Sequence, residues 1–323
     1  MISVVIPLYN KEKSITTTLE SVFTQSYTDY EIIVVDDGST DNSAAVVQSI
    51  ISKRPMSNDK CQISNDRSPM SNVKCQIRLI SKPNGGVCSA RNRGIEEARG
   101  EYIALLDADD QWDKDYLSEQ VRLIHDFPNA ALSGINYTEL YKGRLVRQLA
   151  TGLPEGYRGY VENYFQMPNR VSDLFCSSNV VIRKDVFEKV GFFDERLKYS
   201  EDIDMWYRII VNYPIAFYDR YMVQYLYDAE NRAMNRERKL KDWLPYCVDK
   251  YKNPLFRHNK VFYRWIMRWC GSRIKLVYFN IPEQYEDAKV ASRKLDFSEL
   301  PFKYRLELLT PYWIGKYIYK ILK

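Results

Sequence analysis

Residues 102–112, YIALLDADDQW, constrain what this chain can fold into more than any other stretch. Tyr102 to Leu106 form an apolar run without polar alternation, which is how a strand covered on both faces reads. The run passes straight into Asp107, Asp109 and Asp110, interrupted only by Ala108. Three carboxylates so close repel one another strongly at low dielectric unless a cation or hydrogen-bond donors neutralise them. Two readings fit. One is a hard divalent ion, Mn2+ or Mg2+, which takes oxygen ligands and leaves room for substrate phosphates. The other is a solvated acidic turn that caps the following helix.

Two earlier stretches have the same form. ISVVIPLY (2–9) is a near-continuous apolar run that should end near Pro7, since proline cannot donate to a ladder. Ile15, Leu19, Val22 and Phe23 then share one face at helical spacing. EIIVVDDGSTDNS (31–43) is a second buried strand that ends in Asp36 and Asp37, with Ser39, Thr40 and Asp41 suited to cap a helix. Strand, helix and strand in this order predict a parallel, right-handed βαβ unit. A third strand is expected at IRLIS (77–81), followed by the turn Gly85-Gly86 and a helix carrying Arg91, with Gly100 as its stop. That turn is either ordinary or a phosphate contact at a helix N-terminus.

Further along, Leu117, Val121 and Ile124 mark an amphipathic helix, and residues 130–141 read as a strand. Residues 142–175 lack periodicity and read as a loop-rich connection, 176–184 as a strand and 185–195 as a short helix and turn. Residues 200–213 read as a helix whose first turn holds Glu201, Asp202 and Asp204, where the helix dipole favours negative charge. PMSNDKCQI (55–63) recurs as PMSNVKCQI (69–77); one repeat is too few for a solenoid, so it reads as a tandem duplication lengthening a surface connection.

Composition narrows the classes. The chain of 323 residues can hold one large domain or two, and its 28% charged residues are ordinary for a globular protein. The six cysteines are scattered without a CxxC pair, which argues against a disulfide framework and a zinc site. Two histidines make histidine metal sites and serine–histidine chemistry poor candidates. No apolar run approaches the roughly 20 residues of a membrane span, so the expected location is the cytoplasm. The net charge of +5 is uneven: residues 230–323 carry 21 Lys and Arg against 10 Asp and Glu. A basic tail on an acidic body points to an anionic surface or substrate. Nucleic acid is not expected, because the body is acidic and carries no recognition motif.

The order VVIPLYNKEKSI, IIVVDDGSTDNS, KPNGGVCSARNRGIEEARGEYIALLDADDQW, GFFDE and SEDIDMWYRI resembles the family 2 glycosyltransferases of the GT-A fold, of the bacterial surface-polysaccharide type, over about residues 1–215. The duplication at 55–77 departs from the family's usual short connection. The resemblance implies an α/β, Rossmann-like, mostly parallel sheet flanked by helices, covering residues 1–229, with a mainly helical extension over 230–323. It implies an inverting, metal-dependent transferase moving a sugar from a nucleotide-sugar donor, most simply a UDP-sugar, to a saccharide or lipid-linked acceptor. A polyprenyl-phosphate sugar transferase and a non-catalytic nucleotide-sugar-binding protein are the alternatives.

By the same resemblance Pro7 and Tyr9 line the base pocket, Asp37 accepts from the pyrimidine N3–H with Asp36 assisting, and Arg91 lies near the nucleotide. Asp107 approaches the ribose, Ala108 belongs to the nucleotide-sugar site, and Asp109 with Asp110 holds Mn2+ or Mg2+ on the diphosphate. Asp202 is the general base, Glu201 orients the acceptor and Asp204 is structural. In the tail, Trp243, Trp265, Trp269 and LTPYWIGKYIYKILK (309–323) interleave rings and cations. This suits either the headgroup layer of an anionic membrane, placing the protein peripherally at its inner face, or a helical subdomain with a solvated basic face.

Overall fold

The structure, a computed structural model, describes residues 1–53, 76–147, 150, 152–167, 174–231, 239–240, 244–310 and 312–322. The duplicated segment lies outside these apart from Gln76 and Ile77, as does Trp243. The chain divides into two compact units, Met1–Glu195 with Glu201–Arg232, and Arg196–Ser200 with Ala233–Lys323.

The first unit is built on one ten-stranded sheet. In chain order its elements are β1 (Ile2–Leu8), α1 (Ile15–Phe23), β2 (Tyr30–Asp36), α2 (Ser43–Lys53), β3 (Gln76–Ser81), α3 (Val87–Glu97) and β4 (Tyr102–Leu105). There follow β5 (Gln111–Trp112), α4 (Tyr116–Asp126), β6 (Leu132–Tyr141), β7 (Arg144–Arg147), β8 (Arg158–Tyr160), β9 (Val180–Arg183), α5 (Val186–Val190), α6 (Glu201–Asn212) and β10 (Ile215–Leu226). The strand order is β3-β2-β1-β4-β9-β6-β10-β5, with β7 on β6 and β8 on β10. β3, β2, β1 and β4 are mutually parallel. β9 runs antiparallel between β4 and β6, so beyond β4 the sheet is mixed rather than parallel.

The unbroken apolar runs are explained by burial on both faces. Val4, Ile6 and Leu8 of β1 join Ile15, Leu19 and Val22 of α1 in one cluster. On the other face α3 lies so close that a Cβ at Gly94 would stand 2.3 Å from Val5 Cγ1. Fully burying each such aliphatic side chain contributes about 1.5–3 kcal/mol.

Several local expectations need correction. Gly100 is not a left-handed helix stop: α3 ends at Glu97 with an extended Ala98. Gly100 instead lies against β1, where a Cβ would be 2.7 Å from the Ser3 nitrogen. Residues 142–175 contain β7, β8 and a 3-10 turn at Tyr164–Gln166. The expected strand at 176–184 begins only at Val180, after a 3-10 turn at Ser177–Asn179. There the Cys176 N–H donates to Asn179 Oδ1 at 2.8 Å, and such local bonds compete with strand pairing.

The second unit is helical: α7 (Leu244–Tyr251), α8 (Pro254–Arg257), α9 (Lys260–Asn280), α10 (Tyr285–Ser292), α11 (Phe302–Leu309) and α12 (Tyr312–Leu322). Phe262, Ile266, Cys270 and Ile274 recur every fourth residue along α9 and are all buried. Asn259 caps this helix, its Oδ1 accepting the Phe262 N–H at 3.0 Å. Among the described residues no helix is long and apolar enough to cross a membrane.

Candidate active site

Parallel strands end together, and the acids lie at that end. Leu8 pairs with Asp36, and Leu105 sits beside Val5, so Tyr9, Asp37 and Asp107 all emerge beyond the carboxyl ends of β1, β2 and β4. Ligands gather there in open α/β sheets. The loop after β1 is set by Asn10, whose backbone is left-handed (φ 53°), a region asparagine tolerates. Its Oδ1 accepts the Thr40 N–H at 2.8 Å, and its own N–H donates to Ser39 Oγ at 3.1 Å. Pro7 and Tyr9 are half-buried, and the Tyr9 carbonyl accepts from the Asn231 amide at 3.2 Å.

Asp37 is 2% exposed and held from three sides. Lys82 Nζ lies 2.6 Å from Oδ1, the Gly85 N–H donates to Oδ1 at 3.0 Å and the Gly86 N–H to Oδ2 at 2.7 Å. The glycine turn thus seats a carboxylate of this chain, and Lys82 is a partner that sequence reasoning missed. Asp36, also buried, accepts the Ser39 N–H at 3.1 Å.

Arg91 connects two groups of acids. It is 2% exposed, with Nη2 at 2.8 Å from Asp107 and Nη1 at 3.1 Å from Glu201, which opens α6. Its guanidinium also lies over the Phe193 ring, 5.4 Å from the centroid. Burial alone would lower the Arg91 pKa, but Asp107 and Glu201 outweigh it, with Asp202 adding to the same direction, so it stays charged. The same surroundings raise the Cys88 thiol to about 12, first through burial and then through Glu201. Asp202 is half-buried in the first turn of α6, its Oδ1 accepting the Ile203 N–H at 2.7 Å. Asp204 is buried against Arg208 at 2.9 Å, and Arg208 also donates to the carbonyls of Gly191 and Phe192, each at 3.0 Å. That arrangement ties α6 to the end of α5.

The stretch after β4 separates by role. The Asp107 N–H donates to Ser178 Oγ at 3.1 Å, and the Ala108 carbonyl accepts from Ser14 Oγ at 3.0 Å. Asp109 is 6% exposed and carries Lys11 Nζ on its Oδ2 at 2.5 Å. Asp110 is fully buried; Ser178 Oγ donates to its Oδ2 at 2.5 Å and the Leu226 N–H to its Oδ1 at 3.0 Å. Burial, then the charges of Asp109 and Asp107, push the Asp110 carboxyl well above the usual range, against the pull of those two donors. Ser178 also accepts the Trp112 indole N–H on its carbonyl at 2.7 Å. Asp110 therefore acts as a clasp between the end of β4, the turn that leads into β9 and the end of β10. Lys11, Ser14 and Ser178 were not singled out in the sequence, because partners such as Lys11 and Asp109 lie 98 residues apart.

Residues 3–191 match the sequence model of "Glycosyl transferase family 2", more than half of the chain. The chain belongs to this family. Glu201 and Asp202 lie beyond the matched residues. Among relatives, "Amylovoran biosynthesis glycosyltransferase AmsB" of Erwinia amylovora is 39% identical over 122 residues, covering 38% of this chain and 35% of that protein. "Uncharacterized glycosyltransferase RT0329" of Rickettsia typhi is 26% identical over 254 residues, covering 73% of this chain and 68% of that protein. The chain spans about a third of the length of an uncharacterized glycosyltransferase of Rickettsia felis, at 26% identity (35% of that protein, 71% of this chain). The fold is similar to that of S. aureus TarS 1-349, solved in complex with UDP-GlcNAc. The TM-score is 0.73 at 20% identity, covering 98% of this chain and 88% of that one. The family and this likeness identify the first unit as a GT-A-type glycosyltransferase fold.

Proposed function

We propose that this chain transfers a sugar, with inversion, from a UDP-sugar to a saccharide or lipid-linked saccharide acceptor in polysaccharide biosynthesis. The observation that carries the reading is the Arg91 bridge, which brings Asp107 of the strand-end acids to Glu201 of the α6 acids. An inverting transfer needs a group that holds the leaving nucleotide and a base that faces the acceptor hydroxyl from the other side. The α6 acids are close enough for that division of labour, with Arg91 charged between them.

Asp37 has the right remaining capacity for a uracil. An ionised carboxylate accepts at about four lone-pair positions, and three are taken by Lys82, Gly85 and Gly86. A further acceptor position suits the N3–H of uracil, which cytosine lacks. We assign Pro7 and Tyr9, at the end of β1 beside the end of β2, to the base pocket, with Asp36 bracing the loop that follows β2.

The donor atoms also fit a hard divalent cation. Asp107 and Asp109 supply carboxylate oxygens, and Asp109 already carries a cation in the Lys11 ammonium. Among the described residues no three ligating side chains converge on one point, as is usual where Mg2+ or Mn2+ is shared between one or two carboxylates and substrate phosphates. When bound, such an ion would neutralise charge developing on the departing diphosphate. Asp109 is the acid we assign to it; Asp110, committed to Ser178 and Leu226, keeps that acid in place.

Glu201 is engaged by Arg91 and orients the acceptor; Asp202, beside it in the first turn of α6, is the acid we assign as the general base that takes the acceptor proton as the new bond forms. The test is slow release of UDP from UDP-sugar donors in the presence of Mn2+, with and without candidate acceptors. Release that requires the metal and is abolished in Asp202→Asn supports the reading. Donor binding without turnover across a panel of acceptors defeats it.

A further inference from the structure

We propose that Lys11 is a built-in competitor for the divalent ion, occupying Asp109 in the free protein and yielding it when the donor's diphosphate arrives. The inference rests on the metal reading above and adds an order to it: metal and nucleotide bind synergistically, because each helps to move the same ammonium.

Lys11 is a buried lysine, 9% exposed, on the loop between β1 and α1. Burying an ammonium is costly unless it is paired, and this one is paired with Asp109 Oδ2 at 2.5 Å. Its second acceptor is the backbone carbonyl of Glu230. Both ends of the arrangement are anchored. The Lys11 N–H donates to Ser43 Oγ at 2.7 Å, so the main chain is fixed and only the four-carbon side chain is left to swing. The Glu230 carboxylate accepts the N–H groups of Lys13 and Ser14 at 3.1 and 3.2 Å and the Ser14 hydroxyl at 3.1 Å. The Ala108 carbonyl, next to Asp109, lies 3.0 Å from the same Ser14 Oγ and shares its one proton with Glu230.

An ammonium has three donors, and two have named acceptors here. A phosphate oxygen near Asp109 is therefore a natural third partner, stronger as an acceptor than a backbone carbonyl because it is charged. Two cations on one buried carboxylate repel each other. The divalent ion consequently binds weakly while Lys11 stays on Asp109, and tightly once a diphosphate has drawn the ammonium away. Linkage makes the effect reciprocal, so the metal raises nucleotide affinity by the same factor.

Direct titration of Mn2+ followed by electron paramagnetic resonance, without turnover, tests this. Lys11→Met should bind Mn2+ about ten- to a hundredfold more tightly than the wild-type protein in the absence of nucleotide, and UDP should then tighten binding less than it does in the wild type. Lys11→Arg, whose planar fork pairs with a carboxylate more firmly, should bind Mn2+ more weakly than the wild type. Equal Mn2+ affinity in the wild type and Lys11→Met overturns the role of Lys11 and leaves the metal reading standing. Absence of Mn2+ binding to any of these proteins, with or without UDP, overturns both. Should Lys11→Met fail to fold, Lys11→Arg decides alone: weaker binding supports the proposal, and unchanged or tighter binding overturns it.

Discussion

At the scale of single residues, Asp37, Arg91 and Asp202 are the residues to which we propose the chemistry belongs, and each proposed role is separately measurable. Asp37→Asn keeps the shape of the side chain but replaces an acceptor by a donor in a pocket of donors. UDP should bind roughly ten- to a hundredfold more weakly to it by calorimetry, the range expected for losing a hydrogen bond to a charged group. Asp202→Asn should leave UDP affinity intact while kcat falls by about a hundred- to ten-thousandfold, the usual share of general-base catalysis. A comparable loss of UDP affinity would place Asp202 in donor binding instead. The acids themselves stood out in the sequence as carboxylates at the ends of apolar runs, although a helix-capping turn was an equally available reading of them. Apart from Arg91, their partners did not. Lys11, Lys82 and the hydroxyl of Ser178 are ordinary residues in polar loops, and only the parallel register of the strands brings them to the acids.

Among elements, α3 and β1 show how closely the site is supported. Both lead to residues we assign to the site, and they touch where Gly94 leaves no space for a Cβ. Gly94→Ala should lower stability by about 1–3 kcal/mol, as overpacking a filled core does, read as a drop in melting temperature; an unchanged melt would mean the two elements can part. Further along β1, Ser3 donates to Glu31 of β2 at 2.7 Å. Burial would raise the Glu31 carboxyl, but the Arg99 N–H, Ser3 and Arg78 together hold it below its ordinary value. A depressed native pKa stabilises the fold above the unfolded value, near 4.5, and that contribution is lost as pH falls through the native one. Glu31→Gln should therefore flatten the acid limb of stability between those values, checked by chemical denaturation at several pH values.

The long helices and the first parallel strands could be read from period alone. β10 could not. Its pairing with β6 shifts register between Tyr218 and Val223, where Asp219 and Arg220 interrupt the apolar pattern. The turn at Ser177–Asn179 was hidden for a related reason, since local side-chain bonds there displace a strand that composition alone would extend.

At the level of the whole molecule, the charge asymmetry and the C-terminal unit belong together. Phe302 and Leu309 of α11 and Ile321 of α12 are 77%, 67% and 63% exposed, on a region rich in Lys and Arg. Many of its other rings are core: Phe262, Tyr263, Tyr278 and Phe279 are buried. We propose that the exposed set meets an anionic lipid surface, where apolar insertion and basic charge reinforce each other. The protein should co-sediment with vesicles containing anionic lipid but not with neutral ones, and Phe302→Ser with Leu309→Ser should reduce the bound fraction. Equal recovery with both vesicle types would assign the basic face to solvent.

The place of β9 in the sheet has a consequence for how the protein is made. β4 is synthesised early, yet the strand that closes its free edge, and the serine that clasps its acids, come some seventy residues later. At about 5–20 residues per second, a nascent chain leaves the ribosome with that edge bare for several seconds. During this interval a chaperone, or a neighbouring polypeptide on the same messenger, has its best opportunity to bind.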